Sequence, residues 1–227
     1  MRRSGGGSSV RGVMLGACLL AALGAAVGGL TACNIVGPIV AVASPPPSTP
    51  AQLELDPVRS HAILIDDLSS RLPKRSLRND MVQSAQETLL ANKALTPEQL
   101  IDSKGLQRAL SDDMYGQARS IVEIGRKAGA QVVIHVAIDG WGLSRDLASA
   151  SPFVEARVKV LDCDANNRIW PPMEQGYTLI VAPKMDQGNL PTTLAEKSKM
   201  ERDLAKRFGV ALAQLFYKHL NEDSARE

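Results

Sequence analysis

The 227-residue sequence predicts an α/β (α+β) fold, a mixed, partly antiparallel sheet of about four to five strands with helices packed on it. Three observations support this fold class. Short apolar runs, typical of strands buried on both faces, occur at residues 61–65 and 131–138. Residues 154–162 alternate apolar and charged side chains, as a strand with one solvated face does. Segments with apolar residues at helical spacing lie between and after these strands.

The first half of the predicted domain joins the two buried strands through helices. The first strand begins at His61 and ends at Asp66 and Asp67, and Asn79 or Asp80 is expected to cap the next helix. The apolar positions of that helix are Met81, Val82, Ala85, Leu89 and Leu90. Three short elements are expected after it: a segment opening at residues 96–98, a brief strand at 100–102 and one or two helical turns at 105–110.

A second helix is expected to begin at Asp112 and to stop at Ala128-Gly129, where glycine lets the chain turn. The apolar face of this helix comprises Met114, Ala118, Ile121, Val122 and Gly125. The strand of residues 131–138 follows directly, so we expect it at the centre of the sheet.

The second half of the domain is predicted to be antiparallel. The alternating strand at 154–162 is followed by a turn at 164–167, a return strand at 168–170 and a further strand at 177–182. A long helix from about residue 193 to residue 220 is expected to close the chain. Its buried positions would be Leu204, Phe208, Ala211, Leu212, Leu215 and Phe216.

Two segments of the chain carry a family resemblance. Residues 121–134 combine a helix-ending glycine, a Gly-Ala pair and an apolar strand, and residues 158–170 combine a valine-rich strand, an Asp turn and a strand with Trp170. They resemble the amino-terminal domain of the TolB translocation protein, the curli-secretion lipoproteins and the penicillin-binding-protein activator lipoproteins. The resemblance spans most of residues 60–220 and implies a TolB-like exported domain, with no catalytic residue to carry over.

The amino terminus resembles a bacterial lipoprotein signal peptide. Residues 1–12 are basic, an 18-residue apolar run covers residues 13–30, and Leu30-Thr31-Ala32-Cys33 has the form of a lipobox. The resemblance implies cleavage between Ala32 and Cys33 and lipidation of Cys33. An uncleaved membrane anchor is the alternative, because 18 apolar residues can just span a bilayer. Cys18 has a similar Leu-Gly-Ala triplet before it, with almost no apolar stretch preceding.

These features predict three parts of the chain: a signal peptide (1–32), a lipidated Pro-rich tether (33–56) and a single α/β domain (57–227). Of the 26 Lys and Arg residues, three lie in the signal peptide, so the rest of the chain has 23 basic and 24 acidic residues. A near-neutral chain without a clustered basic surface does not favour nucleic-acid binding. The sequence also predicts no cofactor.

Candidate catalytic and metal-binding residues are few. The three histidines, His61, His135 and His219, have no metal-ligand spacing. Cys163 stands between Asp162 and Asp164, whose negative charge raises a thiol pKa, and we interpret it as an inert turn cysteine.

Two further motifs lie where strands end. Asp66 and Asp67 are either a solvated acid pair or, with His135, the centre of an enzyme. Trp141, between Gly140 and Gly142, is either an exposed contact for a partner or a core residue packed across Trp170.

The sequence therefore predicts a non-enzymatic cell-envelope lipoprotein that acts through protein contacts, as an adaptor, assembly factor or subunit. The alternative is an oligomeric subunit of a curli-secretion-like export assembly. Its expected partners are the membrane, through the lipid, other envelope proteins and further copies of itself. Asn34 is not the Asp that retains such lipoproteins in the inner membrane, so the resemblance implies the periplasmic face of the outer membrane.

Overall fold

The computed structural model describes residues 48–102, 104–106, 120–145, 149–183 and 190–220. In that part of the chain, the main sheet has five strands: β2 (His61–Asp66), β3 (Val132–Gly142), β4 (Phe153–Asp162), β5 (Asn167–Trp170) and β6 (Tyr177–Val181). β2 pairs with β3 in parallel, and the other pairings are antiparallel. The expected mixed, partly antiparallel sheet is confirmed. Both β5 and β6 pair with β4 and extend the sheet beyond it.

The main core lies between one face of the sheet and two long helices, α1 (Ser76–Ala91) and α3 (Leu194–Gln214). Alternate residues of β2, β3 and β4 supply it, with Ile63, Ile134 and Val158 fully buried. A smaller cluster on the other face joins Leu64 and Val133 to α2 (Ile121–Lys127). The sheet thus separates two apolar layers, and β2 is buried on both faces as expected.

The backbones of the two long helices are in close contact at Gly209. A methyl group at this position would lie 2.4 Å from the carbonyl oxygen of Met81 on α1. The hydroxyl of Ser84 also donates to the carbonyl of Lys206 across the contact, at 2.8 Å. The missing side chain at Gly209 is therefore what allows the helix backbones to approach.

The structure corrects the expected starts of two helices. α1 begins at Ser76, not at Asn79 or Asp80, and this earlier turn buries Leu77. The single helix expected from Asp112 is wrong, because Ser120 has an extended backbone and caps a new helix by accepting a hydrogen bond from the Glu123 amide. Asp112 itself lies outside the described residues.

The end of the closing helix is also corrected. α3 starts after Thr193 as expected, but it stops at Gln214 instead of reaching residue 220. The chain then forms β7 (His219–Leu220), which pairs antiparallel with β1 (Ser48–Thr49). Next to this pair, the amides of Gln52 and Leu53 donate to the carbonyl of Leu215. The last nine residues of the expected tether (48–56) therefore include the strand and the amides that contact the domain's closing segment.

The short elements follow the expected order. A 3-10 helix (Pro97–Gln99) follows Thr96, and Leu100 forms an isolated parallel bridge with His61 where a brief strand was expected. Residues 104–106 are helical. Within the described part of the chain, no helix has both the length and the apolar character needed to cross a membrane.

Candidate functional site

Asp66 and His135 meet on the face of the sheet that α2 partly covers. The parallel register places Leu64 beside His135 and Asp66 beside Ala137, so the two polar side chains project from the same face. His135 Nε2 lies 3.2 Å from Asp66 Oδ2, and both side chains are largely buried, at 14% and 12% exposure. His135 is therefore a hydrogen-bonded imidazole at the border of the smaller core.

Asp67, the next residue, has a structural role. Its Oδ1 accepts the amide of Arg71 at 2.7 Å and its Oδ2 accepts the amide of Leu72 at 3.1 Å. Arg78 of α1 lies 3.5 Å from Oδ2, which compensates the charge of this buried carboxylate. Asp67 thus holds the loop after β2 against α1, so the acid pair does not form one site.

An ion pair that was not expected from the sequence lies on the same face. Arg157 on β4 donates to both oxygens of Asp139, each at 2.7 Å. Asp139 lies at the β-bulge that interrupts the β3–β4 register between Ile138 and Gly140. The alternating charges of β4 were a signal for this pair, but its acidic partner depends on the bulge. We call Asp66, His135, Asp139 and Arg157 the charged face.

Trp141 lies at the end of β3, opposite Val154. Its side chain is partly buried and packs against the main core. On the other face, the ring of Phe153 covers the flanking glycines, and a methyl group at Gly142 would lie 2.6 Å from it. The guanidinium of Arg145 stacks on the same ring at 4.4 Å. Trp170, the expected packing partner of Trp141, stacks on Tyr177, with ring centroids 4.9 Å apart.

The start of β2 and the β4–β5 turn are joined through Asp162. Arg59 donates to both of its carboxylate oxygens at 2.8 Å, and Oδ1 also accepts the amides of Asp164 and Ala165. The hydrogen bonds from Arg59 and the turn hold the pKa of Asp162 well below its usual range. From the sequence, Asp162 was expected only as a charged neighbour of Cys163, and Arg59 was not among the candidate residues.

Cys163 is fully buried in the smaller core, close to Gly125. Burial raises the pKa of its thiol, and the charges of Asp162 and Asp164 raise it further. This is the direction expected from the sequence, although burial is the larger cause. In the described ranges, no three His, Cys, Asp or Glu side chains are placed to hold a metal ion. Ala32 and Cys33, the expected cleavage and lipidation sites, lie outside those ranges.

No family model matches the chain, and no curated protein matches its sequence. Similar solved structures include the PelC dodecamer from Paraburkholderia phytofirmans, which is 12% identical over 77% of this chain and 96% of that chain, with a TM-score of 0.41. They also include lipoprotein GNA1162 from Neisseria meningitidis, 9% identical over 64% and 95% of the two chains, with a TM-score of 0.39. The LpoB C-terminal domain from Escherichia coli is 13% identical over 56% and 83%, with a TM-score of 0.32. The resemblance to the TolB and curli-secretion families stays a prediction.

Proposed function

We propose that this chain is an exported lipoprotein, anchored through Cys33, whose domain acts through contacts with other envelope proteins and not as an enzyme. The observation that carries the proposal is the β1–β7 pair. It attaches the last part of the predicted tether to the domain's closing segment, beside the carbonyl of Leu215. A lipid on Cys33 would therefore hold the domain to a membrane by one defined end.

The polar residues available for an enzyme have structural roles. Asp67 accepts two backbone amides, and Cys163 is buried with a raised pKa, which opposes thiolate formation. Asp66 and His135 bind each other. These contacts support a binding protein over an enzyme built around Asp66, Asp67 and His135.

Exposed apolar side chains support a role in protein contacts. Ile180 on the outer strand β6 is 55% exposed and Met173, in the preceding turn, is 59% exposed. We propose this edge of the sheet, together with Trp141 at the end of β3, as the contact region. Apolar side chains at such a region supply binding energy when a partner covers them.

Lipid labelling tests the anchor. Cells grown with radioactive palmitate should label the wild-type chain, and Cys33→Ala should abolish both labelling and processing. Cys18→Ala is the matched control and should leave both unchanged. Labelling that persists in Cys33→Ala and disappears in Cys18→Ala would refute the assignment. Recovery of the wild-type chain only with inner membranes would refute the proposed outer-membrane location, which rests on Asn34.

Crosslinking tests the contact region. A photoreactive amino acid at position 180 should yield discrete crosslinks to envelope proteins in cells, whereas one at Glu87, on exposed α1 surface, should not. Equal crosslinking from both positions would contradict a defined contact region. Crosslinks between copies of this chain, together with a large species on sedimentation of the detergent-extracted protein, would instead favour the export-assembly subunit.

A further inference from the structure

A cavity of about 410 Å³ lies at the start of β2, far along the strand from the charged face. Leu55, Val132 and Val160 form its apolar wall, and His61 closes its inner end. Charged side chains, Glu54, Asp56 and Arg168 among them, surround the mouth. Its volume is within the range of sites that bind small molecules.

The buried end of the cavity carries an unpartnered polar group. His61 is 0% exposed, and in the part of the chain that the structure describes neither of its ring nitrogens has a hydrogen-bond partner. A neutral imidazole offers one N–H donor and one acceptor, and leaving both unpaired in a protein interior is costly. Burial lowers the pKa of His61, which favours the neutral ring. A neutral hydroxyl would pair with one of the two ring nitrogens.

The mouth of the cavity favours a cation. Arg59 is engaged by both oxygens of Asp162, so these two lining charges cancel. Among the described residues that line the cavity, Arg168 is the remaining cation, beside the exposed carboxylates of Glu54 and Asp56. Its guanidinium also donates to the carbonyls of Pro172 and Glu174, which directs it away from a ligand anion. The remaining charge at the mouth is therefore negative.

We propose that this cavity binds a small organic ammonium ion with an apolar body and a hydroxyl group at the far end. The ammonium group would pair with Glu54 and Asp56 at the mouth, and the body would contact Leu55, Val132 and Val160. The hydroxyl would donate to the unprotonated ring nitrogen of His61. Each part of the ligand thus complements a separate feature of the cavity.

Entry to the cavity depends on the segment of residues 53–56, which forms one wall. The amides of Gln52 and Leu53 attach this segment to the carbonyl of Leu215, and Leu55 anchors it in the core. Since His61 has no contact with bulk water, a ligand reaches the ring when this wall moves outward.

The test uses the mature full-length chain in detergent, with its three histidines labelled with ¹³C for NMR. The probe is tyramine, which has the ammonium group, the apolar ring and the hydroxyl. Phenethylamine lacks the hydroxyl, and 4-hydroxyphenylacetate replaces the ammonium group with a carboxylate. Tyramine should shift the ring signal of His61 and leave those of His135 and His219 in place. Each comparison probe should bind about tenfold more weakly, which corresponds to one hydrogen bond or ion pair at such a site.

A surface variant keeps the test independent of folding. Glu54→Gln changes an exposed side chain, so it should leave the fold intact while weakening tyramine and reducing its advantage over 4-hydroxyphenylacetate. Glu87→Gln, on the exposed surface of α1, is the control and should bind tyramine as the wild type does. The proposal is overturned if no probe shifts the His61 signal, if the carboxylate binds as tightly as the amine, or if Glu54→Gln has no effect.

Discussion

Replacing Gly209 with alanine tests whether the close approach of α1 and α3 determines the domain's stability. The new methyl group would lie 2.4 Å from the carbonyl oxygen of Met81, 2.7 Å from Ser84 Cβ and 2.9 Å from the amide nitrogen of Ala85. Two of these neighbours are backbone atoms, so no side-chain rotation relieves the overlap. The helices would have to separate by about 1 Å to restore ordinary contact.

Two opposing free energies determine the size of the effect. Alanine in a helix interior is favoured over glycine by about 1 kcal/mol, which by itself would stabilise α3. Overpacking a buried contact costs about 1–3 kcal/mol, and more where backbone has to move. Separating the helices would also weaken the Ser84–Lys206 hydrogen bond and the packing of Phe208, which is buried in the main core. We expect a net loss of about 2 kcal/mol, or roughly 4–8 °C in melting temperature for a chain of this size.

The assay is thermal unfolding of the two proteins followed by circular dichroism. Gly105→Ala is the matched control, because a methyl group at Gly105, also in a helical segment, meets no atom within 4 Å. This variant should melt at or slightly above the wild-type temperature. A Gly209→Ala protein that melts as high as Gly105→Ala would refute the conclusion that backbone contact at Gly209 limits the helix approach.

Three further outcomes are expected. Asp162→Asn should destabilise the domain by about 1–3 kcal/mol at pH 7. Arg59 holds the pKa of Asp162 below its unfolded value, so the stabilising contribution of Asp162 is complete above about pH 4 and is lost as pH falls towards the folded pKa. Urea unfolding at pH 7 and pH 3 should therefore show a smaller difference in unfolding free energy between the variant and the wild type at the lower pH. Buried Cys163 should react with iodoacetamide at least about a hundredfold faster in denaturant than in the native protein, and equal rates would contradict its burial. A chain ending at Pro191 loses α3, each of whose large apolar side chains contributes about 1.5–3 kcal/mol by burial, and should lack a cooperative melt, whereas a sharp transition would show that α3 is dispensable.

The strands were predictable because their burial follows local patterns. The apolar run of β2, the run at the start of β3 and the alternation of β4 each determine which faces are covered. The β1–β7 pair was not predictable in this way, since each strand has two residues and its partner is about 170 residues away. The start of α2 had a local signal, because Ser120 and Glu123 have the spacing of a capping box.

The candidate sites show the same division between local and distant determinants. Asp66 and His135 were both singled out from the sequence, but their contact depends on the parallel register of β2 with β3. The Asp139–Arg157 pair depends on a bulge. The cavity at His61 has walls from β2, β3, β4 and the segment before β2, so no single stretch of sequence carries its pattern.

The β1–β7 pair has a mechanical consequence. If Cys33 is lipidated, any pull between the membrane and a bound partner passes through Ser48 and Thr49 before it reaches the sheet. The two-residue ladder and the two amide hydrogen bonds to Leu215 would yield first, under low force, and free the chain up to Leu53, while Leu55 stays anchored in the core. The five-stranded sheet and α3 would stay folded while the reach of the domain grows by roughly 20 Å, the length of about six extended residues. The same release would loosen the wall that residues 53–56 form at the His61 cavity, so tension and ligand occupancy would oppose each other.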